Sequence, residues 1–141
     1  MKIIRMQPSH LIKVTELTNQ LGYPSTLKSI QNRFIKMKKL KNRGLFVAVH
    51  NNQAVGWIDL DIIHSVLHDP RGEIRALVVD SDYRGRGIGK SLIKFTMKWA
   101  RTKKVKSIFL RTNIKRKGAH RFYEREHFIR TKTSYKYEIN L

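Results

Sequence analysis

Ala76-Leu-Val-Val-Asp-Ser-Asp-Tyr-Arg-Gly-Arg-Gly-Ile-Gly-Lys-Ser-Leu92 is the stretch on which the reading of this chain turns. An apolar run that ends at Val79 predicts a strand, and Asp80–Tyr83 is rich in turn formers. Glycines at 85, 87 and 89 then lead straight into an amphipathic segment. Glycine lets backbone N–H groups come close to a ligand, and a helix N-terminus adds the positive end of its dipole. Arg84, Arg86 and Lys90 add formal charge, so the segment reads as a cradle for phosphate. A dinucleotide loop needs G-x-G-x-x-G and a downstream acid. Here the spacing is G-x-G-x-G, and lysines stand at 103, 104 and 106. A P-loop needs glycine five residues before Gly89, and that position is Arg84.

Outward from this loop, Lys2–Met6 predicts a first strand. Ser9 predicts the cap of a helix with Leu11, Val14, Thr18 and Leu21 at helical spacing, ended by Gly22. Ser25–Thr26 opens a second helix with Leu27, Ile30, Phe34 and Met37 on one face. Leu45–Val49 and Ala54–Ile63 predict a hairpin turning at Asn51–Asn52. Glu73–Val79 is the next strand. Gly87–Lys104 is a long helix with Ile88, Leu92, Phe95 and Trp99 turned inward. Ser107–Leu110 is a strand, Gly118–Glu126 a short helix, and Phe128–Leu141 predicts two closing strands. The order β-α-α-β-β-β-α-β-α-β-β indicates an α/β fold with a mixed sheet, in one domain over residues 1–141.

The 141 residues contain no cysteine, which removes disulfides, thiolate metal sites and cysteine nucleophiles. The longest apolar run, Leu45–Val49, is far too short for a membrane span, and the first ten residues carry no signal-peptide core. The expectation is a cytoplasmic protein with no membrane partner. Net charge is +20. Fourteen Lys and Arg and no acid lie between Tyr83 and Arg121, while Asp59–Asp82 holds six of the ten acids. The helical stripe Lys90, Lys94, Lys98 and Arg101 lacks interleaved stacking aromatics, which argues against a nucleic-acid partner. His64 and His68 are the only close histidine pair, with no second pair at ligand spacing, so no metal is expected.

Arg84-x-x-Gly87-x-Gly89, after an L-x-V strand and before an amphipathic helix, resembles the pyrophosphate loop of the GNAT family of acyl-CoA-dependent N-acetyltransferases. Asn113-x-x-Arg116-x-x-Ala119-x-x-Phe122-Tyr123 is similar to that family's second half-motif, and the order of elements before the loop agrees with it. Gln20-Leu-Gly-Tyr-Pro24 looks like a stretch found in the branch of aminoglycoside acetyltransferases.

The resemblance implies a GNAT-like fold and transfer of an acetyl group from acetyl-CoA directly to a primary amine, a small-molecule amine before a protein amine. It implies that Leu77, Val78 and Val79 pair with the pantetheine arm and polarise the thioester. Arg84, Gly85, Arg86, Gly87, Ile88, Gly89 and Lys90 would hold the pyrophosphate, and Asn113 would bond the pantetheine region. Tyr123 would be the general acid, or else a core tyrosine beside Phe122. Glu73 would be the base, or else a strand carboxylate paired with Arg71 or Arg75. His127, where the family often has glycine, is expected to accept a left-handed turn. The acids at 59, 61, 69 and 73 would draw a cationic acceptor. A CoA-binding fold without turnover and a basic nucleic-acid-binding module are the alternatives, and a homodimer is compatible with the reading.

Overall fold

The computed structural model describes Met1–Leu141 in full. The backbone divides into two compact units, Met1–Arg111 and Thr112–Leu141. The first contains β1 (Lys2–Arg5), α1 (Leu11–Leu21), α2 (Leu27–Met37), β2 (Arg43–His50), β3 (Gln53–Ile63), β4 (Arg71–Val79), α3 (Ile88–Thr102) and β5 (Ile108–Leu110). The sheet runs in sequence order β1-β2-β3-β4-β5, antiparallel except for a parallel β4–β5 pair, so the mixed α/β sheet is as expected.

Strand alternation sorts the two layers. Leu45, Val47 and Val49 of β2 join Leu11, Val14 and Phe34 in a core beneath α1 and α2, with Ile4, Leu27, Ile30, Met37 and Trp57 around it. Phe46 and Ala48 face the other way, toward α3. A Cβ on Gly56 would meet the Val78 carbonyl at 2.9 Å and Ile88 and Leu92 at 3.3 Å. The bare backbone of Gly56 is what lets α3 lie so close to the sheet.

Local signals set the turns and caps. Gly22 ends α1 at φ +98°, and the Thr26 side chain caps α2 by accepting from Ser29 N–H at 3.2 Å. Asn51 and Asn52 turn the β2–β3 hairpin at φ 49° and 61°, the double left-handed geometry of a type I′ turn.

Three expectations are corrected. Ser9 does not cap α1: Pro8–His10 forms a 3-10 turn instead, and the Gln7 N–H donates to His10 Nδ1. The inward stripe of α3 is Ile88, Gly89, Leu92, Ile93, Thr96 and Ala100. Small residues in that stripe let the helix approach, which leaves Phe95 37% exposed and sends Phe95 and Trp99 to the flank, edge-on to Phe46 at 4.9 and 5.6 Å. The third correction concerns the end of the chain.

The second unit contains α4 (Lys117–Arg125). His127 takes φ 71°, as expected. Its N–H donates to the Glu124 carbonyl and the Phe128 N–H to that of Tyr123, at 3.1 and 3.0 Å. This is a Schellman close, with the rings of Phe128 and Tyr123 in contact at 5.6 Å. Beyond it, residues 129–141 form neither of the two expected strands and stand exposed. Their pattern alternates as a strand's does, but a strand is stabilised by cross-strand partners rather than by its own pattern.

Candidate active site

The site is built from β4 outward. Asp59 pairs with Ala76 and Leu60 with Ile74, so Arg75 is an extra residue in β4, a bulge. A bulge sharpens twist and re-aims a strand. The parallel pairing of β4 with β5 stops at Ile74–Leu110. Past that point β4 still pairs with β3 as far as Val79, but its other flank has no strand partner. Asp80 N–H donates to the Val55 carbonyl of β3 at 2.8 Å, so by alternation Val78 also faces β3 while the N–H groups of Leu77 and Val79 turn to the unpaired edge of the fork.

That edge runs directly into the loop. Asp80, 4% exposed, accepts from Asp82 N–H at 3.2 Å and from Gln20 Nε2 at 3.5 Å, and pairs with Lys13 at 3.4 Å. Ser81 N–H donates back to Gln20 Oε1 at 3.0 Å. Burial would raise the Asp80 carboxyl, but the hydrogen bonds from Asp82 and Gln20 and the charge of Lys13 outweigh it and hold the group below its ordinary value. Helix α1 thus pins the start of the loop. Gln20, Lys13 and Asp80 were not foreseen in this role; an Asp two residues before a backbone donor is the local signal for half of it.

Gly85 and Gly87 take φ +76° and +79°, where a side chain would be strained although open space surrounds both. Gly87 is the N-cap of α3 and has no side chain with which to cap it. The first intrahelical bond is Ser91 N–H to Gly87 carbonyl at 3.0 Å. The N–H groups of Ile88, Gly89 and Lys90 are therefore left to a partner from outside the helix. Arg84 Nε reaches back to the Val79 carbonyl at 3.3 Å, while Arg86 lies over the Tyr83 ring at 4.9 Å. Exposed Lys90 follows in the first turn.

Glu73 is 5% exposed, and guanidinium groups meet both its oxygens: Arg75 Nε on Oε1 at 3.2 Å and Arg111 Nη1 on Oε2 at 2.5 Å. Of the two pairings foreseen for it, Arg75 is formed and Arg71 is not; Arg111 was missed. Asp59 and Asp61 are paired too. Asp59 takes two bonds from Arg43, at 2.7 and 2.8 Å, and Asp61 lies 3.1 Å from Arg75. The acids expected to attract a cation are thus largely neutralised. On the same face Trp57 keeps a buried indole N–H with no acceptor.

Asn113 and Tyr123 belong to the second unit. Asn113 Oδ1 accepts Lys115 N–H at 2.9 Å, and its carbonyl meets Arg116 N–H and His120 Nε2, which sets the turn into α4. Burial pushes the Tyr123 phenol above its ordinary value of 10.0, with Arg116 opposing. The hydroxyl therefore keeps its proton through the physiological range, as a proton donor must.

This geometry can be set beside known proteins. Residues 12–128 match the family model of the acetyltransferase (GNAT) family. An aminoalkylphosphonate N-acetyltransferase of Salmonella typhimurium is 41% identical over 81 residues, 57% of this chain and 53% of that one. An N-alpha-acetyltransferase 30 of Schizosaccharomyces pombe is 32% identical over 98 residues, 67% of this chain and 63% of that one. The chain spans about half the length of the curated relatives it matches. In structure, a putative acetyltransferase of Agrobacterium tumefaciens superposes with a TM-score of 0.88 at 23% identity, over 99% of this chain and 100% of that one, which is a likeness of fold. The unpaired flank of β4, the uncapped start of α3 and the matched span agree, and this chain belongs to the GNAT family of acetyltransferases.

Proposed function

We propose that the protein transfers the acetyl group of acetyl-CoA to a primary amine on a small molecule. One observation carries the reading: the free flank of β4 leads without interruption into the free N–H groups of α3. An extended amide-bearing arm fits the first, and a pyrophosphate fits the second. Leu77–Val79 would pair with the arm, with one of their N–H groups polarising the thioester carbonyl. Gly85–Lys90 would hold the phosphates, supported by the charges of Arg84, Arg86 and Lys90. Asn113, whose side-chain N–H groups remain after its turn is made, would bond the pantetheine region.

The amine nitrogen bonds to the acetyl carbon and the C–S bond breaks, so no side-chain nucleophile is needed. Glu73 takes the amine proton through a water, using lone pairs that the two arginines leave on its oxygens. Tyr123 gives its proton to the departing thiolate. The named relatives act on an aminoalkylphosphonate and on N-alpha amines, and the first of these supports the small-molecule reading.

The test is acetyl transfer followed by thiol release across a panel of amines, with Tyr123→Phe beside the wild type. The variant should keep its melting temperature and acetyl-CoA affinity and lose about 10²–10⁴-fold in turnover. Acetyl-CoA binding with no thiol release from any amine would leave a binding fold without activity.

A further inference from the structure

The charges around Glu73 do not cancel. On the α1–α2 face of the sheet, where β4 and β5 part, three carboxylates (Asp59, Asp61, Glu73) stand among four guanidinium groups (Arg43, Arg71, Arg75, Arg111). Strand pairing puts them there. Asp61 is opposite Glu73, and Glu73 is beside Phe109. Arg71 and Arg111 each lie two residues along from a member of that row. The carboxylates are consumed within the network. Arg43 forks onto Asp59, Arg75 spans Asp61 and Glu73, and Arg111 holds the second oxygen of Glu73.

Two guanidinium groups are then left over in part or whole. Arg71 makes no ion pair; it lies over the Phe109 ring at 4.3 Å, and its buried Nε has no acceptor. Arg111 lies over the same ring at 5.1 Å and spends one nitrogen on Glu73, while its side chain is 65% exposed. Like charges gathered on one ring repel each other, and unspent guanidinium donors call for acceptors rather than for another cation. Arg111 directly follows the last residue of β5, and Arg75, 48% exposed, is the bulge residue at the opening of β4. Both flank the fork through which an acceptor amine would approach the thioester.

We propose that the acceptor carries an acidic group, carboxylate or phosphonate, and that Arg111 binds it at the mouth of the β4–β5 fork. Arg75, already paired with Asp61 and Glu73, keeps the carboxylates from repelling it there. The proposal rests on the acetyltransferase reading and narrows its acceptor to an amino acid or aminoalkyl acid of small size. A planar guanidinium fork matches the paired oxygens of such a group. A polyamine would face a local excess of positive charge and bind poorly.

Acetyl transfer is measured with 2-aminoethylphosphonate, β-alanine, ethanolamine and putrescine, for wild type, Arg111→Gln and Arg111→Lys. The acidic amines should have the lowest KM in the wild type. Arg111→Gln should raise their KM by about tenfold or more, the scale of one charge-assisted hydrogen bond. Because Arg111 also holds Glu73, turnover of every amine should fall in the variant. The readout is therefore the KM of the acidic amines relative to that of ethanolamine, with an unchanged acetyl-CoA KM as the check on the fold. Arg111→Lys should recover only part of the loss. Preference for putrescine, or equal KM shifts for acidic and neutral amines, would overturn the proposal while leaving the acetyltransferase reading intact. If no amine is acetylated, the acetyltransferase reading fails and the acidic acceptor fails with it.

Discussion

Residues 76–92 and residues 129–141 both carry strong sequence patterns, yet only the first became the structure its pattern suggested. In the loop, glycines at 85 and 87 sit at positive φ and α3 begins where the amphipathic period begins. At the other end of the chain, Ile129, Thr131, Thr133, Tyr135, Tyr137, Ile139 and Leu141 alternate with polar and charged residues as a strand would. They form no strand, and Ile129, Tyr135, Tyr137 and Ile139 are each more than four-fifths exposed. The difference is one of range. A left-handed glycine and a helix start are decided by neighbours within a turn, whereas a strand exists only when another strand lies alongside.

The sharpest way to break that comparison is Gly87→Asp. An anion at a position that requires φ +79° should abolish the rise in melting temperature that acetyl-CoA produces in the wild type. At a hundredfold excess over Kd that rise is worth about 2.7 kcal/mol. If the stabilisation survives intact, the helix start is not the phosphate site. A smaller effect is expected of Asp80→Asn, which keeps the shape of the side chain and removes its charge. The loop should lose about 1–2 kcal/mol at neutral pH, the scale of hydrogen bonds and a short ion pair made to a buried carboxylate. Because folding lowers this carboxyl from its ordinary 3.8, its contribution is fully present above that value and is lost as pH falls through the lower folded value. Thermal melts from pH 6 down to pH 2 should therefore converge for the two proteins, and parallel curves would deny Asp80 that role. The smallest effect belongs to the other region. Tyr137→Ser, at a side chain 90% exposed, should change stability by no more than about 0.5 kcal/mol in urea titration. A loss several times larger would mean that residues 129–141 are packed in solution and that the expected closing strands have a partner.

The legible parts of the site share this local character. The end of β4 and the loop could be placed from an apolar run followed by alternating glycines, whereas the free flank was expected only from the resemblance to the GNAT family. His127 could be placed because a helix end closed by a left-handed residue is set by a few neighbours, whereas Tyr123 was singled out only by the resemblance. The electrostatics were not legible. Six acids counted along Asp59–Asp82 suggested an attraction for cations, but that count held no information on which guanidinium each acid would meet. Arg111 is 38 positions from Glu73, and Arg43 is 16 from Asp59. The same holds for the inward face of α3: the helical period identified an apolar stripe, but small residues in the helix and Gly56 in the sheet decided the rotation that lets the two come close.

What this sequence determines by itself are the places where the backbone has few choices: the Asn51–Asn52 hairpin, the glycine loop, the cap of α2 at Thr26 and the close of α4 at His127. Each depends on dihedral preferences and hydrogen bonds within five residues, and such energies follow from residue type and order. Only the tertiary structure decided that Gln20 of α1 pins Asp80 across 60 positions, that Arg75 is the bulge at which β4 leaves β5, and that Glu73 is held between two arginines. Those outcomes depend on which groups the sheet register brings within a few ångströms. A charge or an apolar side chain carries no address for its partner until the strands have paired.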